Sequence, residues 1–167
     1  FSGGTLLPGL IDCHVHLIYG GEGDPKSKVA GSKPGDLVMS ALDRAQESLR
    51  SGVTSLRDLG GKDFLEFAVR DACNSGRQMG PTILTAGQMI CMTGGHGNAF
   101  GRVADGPHEV IRAVREQVHA GSNVIKIMAT GGVMTPGVNP EDAHYSLEEL
   151  SVAVSYTHLT LPTKWIV

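Results

Sequence analysis

Short runs of β-favouring residues alternate with amphipathic helical stretches along this chain of 167 residues. The predicted strands cover residues 10–16, 53–59, 82–86 and 124–128. The predicted helices cover 36–51, 63–74 and 107–120, and a fourth begins at Ser146, where Glu149 completes a capping box. Four strand–helix units in succession predict an α/β fold with a parallel sheet. The periodicity permits either a closed barrel or an open doubly wound sheet, although the absence of a nucleotide-binding glycine motif disfavours a Rossmann fold.

Two histidines lie two residues apart at the end of the first predicted strand. Successive side chains of a strand point to opposite faces, so His14 and His16 project from the same face. Two neutral imidazoles on one face can hold a zinc-like ion. The alternative is a pair of ordinary histidines on a half-exposed strand. The metal site is favoured by the preceding Pro-Gly turn, by Leu10 and Ile11, which we expect to be buried, and by Asp12 just upstream.

A lysine interrupts the fourth predicted strand. Lys126 lies between Ile125 and Ile127, in a run that is otherwise typical of a buried strand. An uncompensated ammonium in such a place is costly, so it is usually neutralised or paired, or its pKa shifts. The residues alone leave two structural alternatives open: the stem packs in the core while the head reaches the open end of the sheet, or the lysine pairs with Asp58.

Four motifs, in this order, resemble the metal-dependent amidohydrolase superfamily. They are PGLIDCHVH at 8–16, GVTSLRDLGG at 52–61, TGGHG at 93–97 and VIKIMATGGV at 124–133. Within that superfamily they are similar to the imidazolonepropionase-like and Xaa-Pro dipeptidase-like branch, and the resemblance covers its N-terminal part only. It implies a partial TIM (β/α)8 barrel, made of the first four βα units, because a complete barrel typically needs about 250 residues.

The resemblance also implies a site for two divalent metal ions, expected to be zinc. His14 and His16 would hold the more buried ion, and Lys126, carboxylated by CO₂, would bridge the two ions. His96 would bind the substrate, and Tyr145 is a weaker candidate for the same role. The family takes two further histidines from the fifth and sixth strands and its general-base aspartate from the eighth. We expect those residues to lie beyond the end of this chain, so no catalytic residue is assigned.

The two ends of the chain depart from the family pattern. Residues 1–7 resemble the junction with an N-terminal β-sandwich, and 8–154 resemble the N-terminal half of the barrel. Residues 155–167 switch to a Thr-rich, β-favouring sequence broken by Pro162, so we expect a non-native tail, and His158 within it is not assigned as a metal ligand. Half a barrel would expose sheet edges and an apolar face, and a homo-oligomer is one way to cover them.

Composition argues against several other classes of function. The net charge of −3 gives no electrostatic basis for binding nucleic acid or an anionic membrane surface. No apolar stretch approaches the roughly 20 residues of a membrane span, and no leader pattern is evident, so we expect a cytoplasmic protein. The three cysteines form no paired framework, which suits a reducing compartment, and we expect all three to be buried.

The leading hypothesis is a metal-dependent hydrolase of amide or peptide-like C–N bonds. Its substrate would be a small molecule such as a dipeptide or an N-acyl amino acid, with a cyclic amide such as an imidazolone as the next choice. This chain alone is expected to be inactive, because half of the family's ligands are absent. The alternatives from other classes are a non-catalytic metal-binding or scaffold fragment and an unrelated open-sheet α/β protein.

Overall fold

The computed structural model describes residues 3–21 and 23–160 of the chain. Helices and strands alternate along it, as the sequence pattern predicts. In chain order they are β1 (Leu10–Val15), α1 (Pro25–Gly31), α2 (Pro34–Arg50), β2 (Val53–Asp58), α3 (Glu66–Asn74), β3 (Thr82–Thr85), β4 (Ile90–Cys91), β5 (Arg102–Val103), α4 (Gly106–Ala120) and α5 (Leu147–Thr160). The α/β class is therefore confirmed, whereas α1, β4 and β5 were not predicted.

A parallel three-stranded sheet in the order β1-β2-β3 forms the centre of the fold. The parallel arrangement brings the carboxyl ends of the strands to one edge, where Val15 pairs with Asp58 and Asp58 pairs with Thr85. A second, two-stranded parallel sheet joins β4 to β5. The loops that follow β1, β2 and β3 therefore meet at one edge. In TIM barrels the functional residues lie at this carboxyl edge of the strands.

The fourth predicted strand, 124–128, is not formed as a continuous strand. Its backbone makes only an isolated parallel bridge, in which Ile90 donates to the carbonyl of Lys126 and Met128 donates to the carbonyl of Ile90, both at 2.8 Å. At its start, the side-chain oxygen of Asn123 accepts a hydrogen bond from the backbone N–H of Thr85. The backbone N–H of Asn123 in turn donates to the carbonyl of Thr85 at 2.8 Å, so the side chain replaces only the acceptor half of this contact with β3.

Two apolar clusters make up the core. The first lies between the three-stranded sheet and helices α2 and α3, and the second lies among β4, α4 and α5. The stripe predicted for α2 is buried at Leu37, Ala41 and Ala45, and that of α4 at Val110 and Val114. Burial of each large apolar side chain contributes roughly 1.5–3 kcal/mol, so these stripes fix the helices against the strands.

Three predictions of burial on β1 are wrong. Leu10 and Ile11 are 62% and 68% exposed, and Cys13 is exposed, although Cys73 and Cys91 are buried as expected. Strand side chains are buried only where another layer covers their face of the sheet, and the described residues leave these three largely uncovered. An apolar strand sequence alone therefore does not determine burial.

Helix α5 runs through the first part of the segment that was expected to be a β-favouring tail. It extends to Thr160, which corrects the expectation of non-helical structure at 155–160. Residues 161–167 lie outside the described part of the chain, as do Phe1 and Ser2 of the predicted junction. None of the described helices is long and apolar enough to cross a bilayer.

Candidate metal centre and adjoining pocket

The two histidines of β1 lie together at the carboxyl edge of the sheet. The ring centroids of His14 and His16 are 5.4 Å apart, and the backbone N–H of His14 donates to Asp12 Oδ1 at 3.0 Å. Both imidazoles line one cavity of about 290 Å³. Burial and the nearby Lys126 lower the pKa of His14, which favours the neutral imidazole that metals require.

A backbone carbonyl fixes the orientation of the second imidazole. His16 Nδ1 lies 2.8 Å from the carbonyl oxygen of Gly60, which can only accept a hydrogen bond, so this nitrogen carries the proton. In the neutral imidazole the other nitrogen, Nε2, is then the one without a proton, and it is the atom that can bind a metal. A metal-binding histidine commonly donates its second N–H to a carbonyl in this way, because the bond sets its tautomer and its direction.

Lys126 lines the same cavity as the two histidines, although its segment is not a regular strand. The cavity also includes His96 and Thr130. Burial, reinforced by the guanidinium of Arg57, lowers the pKa of Lys126. A lowered pKa increases the fraction of neutral amine, the form that reacts with CO₂. The structure therefore brings together all three predicted metal-binding residues and one predicted substrate-binding residue.

An apolar pocket of about 340 Å³ adjoins the polar cavity and shares three residues with it, His16, His96 and Met128. Its walls are mainly aromatic rings and thioethers. These side chains belong to Tyr19, Met89, Phe100, Met128 and Met134. Apolar pockets with a few polar groups at one end are typical of small-molecule sites, and methionines let such a pocket adapt its shape.

His96 is held between the two cavities by a glycine and a threonine. Its Nδ1 lies 2.9 Å from Thr135 Oγ1. Its ring packs on the backbone of Gly132, where any side chain would collide with the imidazole. Glycine is therefore required at position 132, since only glycine leaves room for this ring.

Tyr145 lies away from both cavities. Its side chain is 6% exposed within the second apolar cluster, and its hydroxyl donates to the carbonyl of Ala104 at 2.9 Å. Because neither cavity includes Tyr145 in its lining, the predicted role of Tyr145 in substrate binding has no support in the geometry of the site.

Sequence reasoning missed a buried carboxyl group next to the site. Glu66, in the first turn of α3, has no solvent exposure, and neither of its oxygens has a hydrogen-bond partner among the described residues. Burial, reinforced by the carboxylate of Asp58, raises the pKa of Glu66 from 4.5 to about 8. The hydroxyl of Tyr19 is likewise buried without a partner in the described structure, and burial raises its pKa. A glutamate at a helix start has an ordinary explanation in the helix dipole, so the sequence held no signal of this burial.

The donor set within the described residues is incomplete for a metal site made of histidine, cysteine and carboxylate ligands alone. Residues 3–21 and 23–160 contain no group of three or more such side chains arranged to hold a metal ion. The two histidines and Lys126 are compatible with a bound ion because they line one cavity and because Nε2 of His16 is left unprotonated.

Comparison with known proteins places this arrangement in a family. Residues 5–158 match the sequence profile of the Amidohydrolase family. Ochratoxinase from Aspergillus niger is 36% identical over 178 residues, an alignment that covers 90% of this chain and 36% of that protein. The chain therefore spans little more than a third of the length of this curated relative.

Solved structures agree with the sequence match. The crystal structure of A. niger ochratoxinase superposes with a TM-score of 0.78 at 32% identity, covering 91% of this chain and 40% of that one. A prolidase complexed with N-methylphosphonate-L-proline gives 0.80 at 31%, covering 91% and 40%. An Xaa-Pro dipeptidase with bound methionine in its active site gives 0.79 at 30%, covering 90% and 40%. The fold and the site thus define an α/β scaffold of the kind found in these amidohydrolase structures. The chain belongs to the Amidohydrolase family, as its motifs predicted.

Proposed function

We propose that the protein to which this chain belongs is a metal-dependent hydrolase of C–N bonds in small amide or peptide-like substrates. The observation that carries the proposal is the convergence of His14, His16 and Lys126 on one cavity that adjoins an apolar pocket. The chain would form the first βα units of a partial TIM barrel. Its match covers 40% of each solved relative, so the activity is proposed for the whole protein.

The metal-binding residues would be His14, His16 and a carboxylated Lys126. The neutral amine of Lys126 would add to CO₂ to form a new N–C bond, and the released proton would leave to solvent. This reaction converts a cation that repels metals into an anionic oxygen ligand. Two divalent ions, which we propose to be zinc, would supply an activated water and polarise the substrate carbonyl when bound.

The other residues of the site would select and orient the substrate. His96, held by Thr135 against Gly132, lies where it can bind a polar or anionic group at the end of the substrate. The apolar pocket would take a hydrophobic side chain or ring and exclude water from it. A dipeptide or an N-acyl amino acid with one apolar group meets both requirements, and a cyclic amide of the imidazolone type is the second choice.

The relatives support this substrate class. One is an ochratoxinase, one is a prolidase complexed with N-methylphosphonate-L-proline, and one is an Xaa-Pro dipeptidase that holds methionine. Both bound molecules combine a polar end with an apolar group, as the polar cavity and the adjoining apolar pocket would require.

Metal content tests the proposal most directly. We expect the purified protein to contain zinc by elemental mass spectrometry, and we expect its content to fall when His14 and His16 are both replaced by Ala or when Lys126 is replaced by Ala. The control is His119→Ala, which removes an exposed histidine at the end of α4. Equal zinc contents in all of these proteins would refute the metal site.

A second function of a different class follows from the incomplete donor set: a metal-binding or scaffold fragment without catalysis. The described residues hold no cluster of three histidine, cysteine or carboxylate ligands, which favours weak binding of a single ion by this chain alone. A panel of dipeptides, N-acyl amino acids and cyclic amides separates the two functions. Turnover by the whole protein supports the hydrolase, whereas metal binding without turnover supports the fragment.

A further inference from the structure

The carboxylate of Asp58 binds two backbone segments that meet behind His16. Its Oδ2 accepts a hydrogen bond from the backbone N–H of Leu17 at 2.7 Å, and its Oδ1 accepts one from the backbone N–H of Gly60 at 2.9 Å. Asp58 has no solvent exposure, and burial raises its pKa although both hydrogen bonds favour the carboxylate. Because burying a carboxyl group costs free energy, the position of Asp58 needs a structural explanation.

The two partners of Asp58 are the residues that set the position of the imidazole. Leu17 directly follows His16, and Gly60 supplies the carbonyl oxygen to which His16 Nδ1 donates. One carboxylate therefore fixes the chain that carries the donor and the residue that carries the acceptor. The three hydrogen bonds form a closed loop through Asp58, Leu17, His16 and Gly60.

More ordinary roles for Asp58 do not match the geometry. Helix α3 begins at Glu66, eight residues later, so Asp58 does not cap it. The neighbouring cation Arg57 donates its Nε–H to the carbonyl of Cys13 at 2.8 Å instead. Neither a helix cap nor an ion pair with Arg57 therefore accounts for this carboxylate, which instead links two loops at the edge of the sheet.

We propose that Asp58 is a positioning residue for His16, holding its Nδ1–H on the Gly60 carbonyl so that Nε2 is unprotonated and points into the cavity. This inference rests on the proposed function, in which His16 is a metal ligand. Outer partners of this kind typically change metal affinity by about 10–100-fold when they are removed. The role concerns tautomer and direction, because Asp58 does not touch the cavity.

The first test measures the tautomer of His16 by ¹⁵N NMR on the metal-free protein. We expect wild-type His16 to carry its proton on Nδ1, and we expect Asp58→Asn to give a mixture of tautomers. The Asn side chain keeps the volume of Asp but places an NH₂ group against one of the two backbone N–H donors. The matched control is Asp105→Asn, which breaks a similar pair of hydrogen bonds to Thr93 without contacting His16.

The second test measures zinc affinity by competition with a chelating dye. We expect Asp58→Asn to weaken zinc binding about 10–100-fold and Asp105→Asn to leave it within twofold. An unchanged tautomer and an affinity within twofold in a folded Asp58→Asn protein would overturn the inference. If His16→Ala leaves zinc affinity unchanged, the proposed function fails instead, and the tautomer measurement still decides the role of Asp58.

A measurement on the wild-type protein covers the case in which Asp58→Asn does not fold. Backbone N–H groups that donate to a buried carboxylate exchange slowly with solvent. We expect the amides of Leu17 and Gly60 to be protected from hydrogen exchange to a similar degree. Rapid exchange at either amide would show that the loop of hydrogen bonds is not maintained in solution, and the inference would be wrong.

Discussion

Replacement of Glu66 by Gln should remove a large pH dependence of stability. Glu66 is buried without a hydrogen-bond partner among the described residues, close to the carboxylates of Asp58 and Asp63 and to the guanidinium of Arg70. Its pKa is raised from 4.5 to about 8, chiefly by burial and next by Asp58. At about 1.4 kcal/mol per pH unit, this difference amounts to on the order of 5 kcal/mol between the folded and unfolded states.

The sign of the effect follows from which state holds the proton. Below pH 4.5 both states are protonated at this residue, and Glu66 carries no electrostatic penalty. Between pH 4.5 and about 8, the unfolded chain has lost the proton while the folded protein retains it. The unfolded state is stabilised progressively in this range, so stability is fully present at low pH and is lost as the pH rises.

Urea denaturation at a series of pH values measures this effect. Between pH 5 and pH 7 we expect the wild type to lose roughly 2–3 kcal/mol relative to Glu66→Gln, because Gln has the same shape and does not titrate. The control is Glu148→Gln, the same change at an exposed glutamate in the first turn of α5. Parallel curves for the wild type and Glu66→Gln would refute the reasoning, since they would show that Glu66 is solvated or paired.

Three further predictions each concern a single residue. Gly132→Ala should displace the ring of His96, with a changed ¹H–¹⁵N spectrum of that imidazole and a raised KM in the whole protein, because the added methyl group occupies the space of the ring. Tyr145→Phe should lower the free energy of unfolding in urea by about 1–2 kcal/mol and leave KM unchanged, because it removes a buried hydrogen bond and lies outside the site. Of the three thiols, Cys13 should react first with a thiol reagent, since it is exposed while burial raises the pKa of Cys91 to about 11.

The part of the site that follows from local periodicity could be predicted. The two-residue repeat of a strand places His14 and His16 on one face, and both line the same cavity. A charged side chain within an apolar run predicted a special role for Lys126, and Lys126 lines that cavity as well. Both predictions use only residues a few positions apart. Such predictions succeed where the local sequence by itself determines the local backbone conformation.

The part that depends on distant neighbours could not be predicted. The exposure of Ile11 depends on what covers its face of the sheet, and the hydrogen bond from the backbone N–H of Thr85 to the side chain of Asn123 joins residues 38 positions apart. The burial of Glu66 depends on the approach of α3 to the loop after β2. None of these contacts leaves a pattern in the nearby sequence, because each joins segments that are far apart along the chain.

The shared wall between the two cavities has a consequence for how substrate choice can change. His16, His96 and Met128 border both spaces, while Met89, Phe100 and Met134 border the apolar pocket alone and lie outside the hydrogen-bonded loop around His16. Mutations among the three residues that border the pocket alone can reshape it while the residues proposed to bind metal stay in place. Under the proposed function, such a division would confine changes of substrate to a few exchangeable side chains around the apolar pocket.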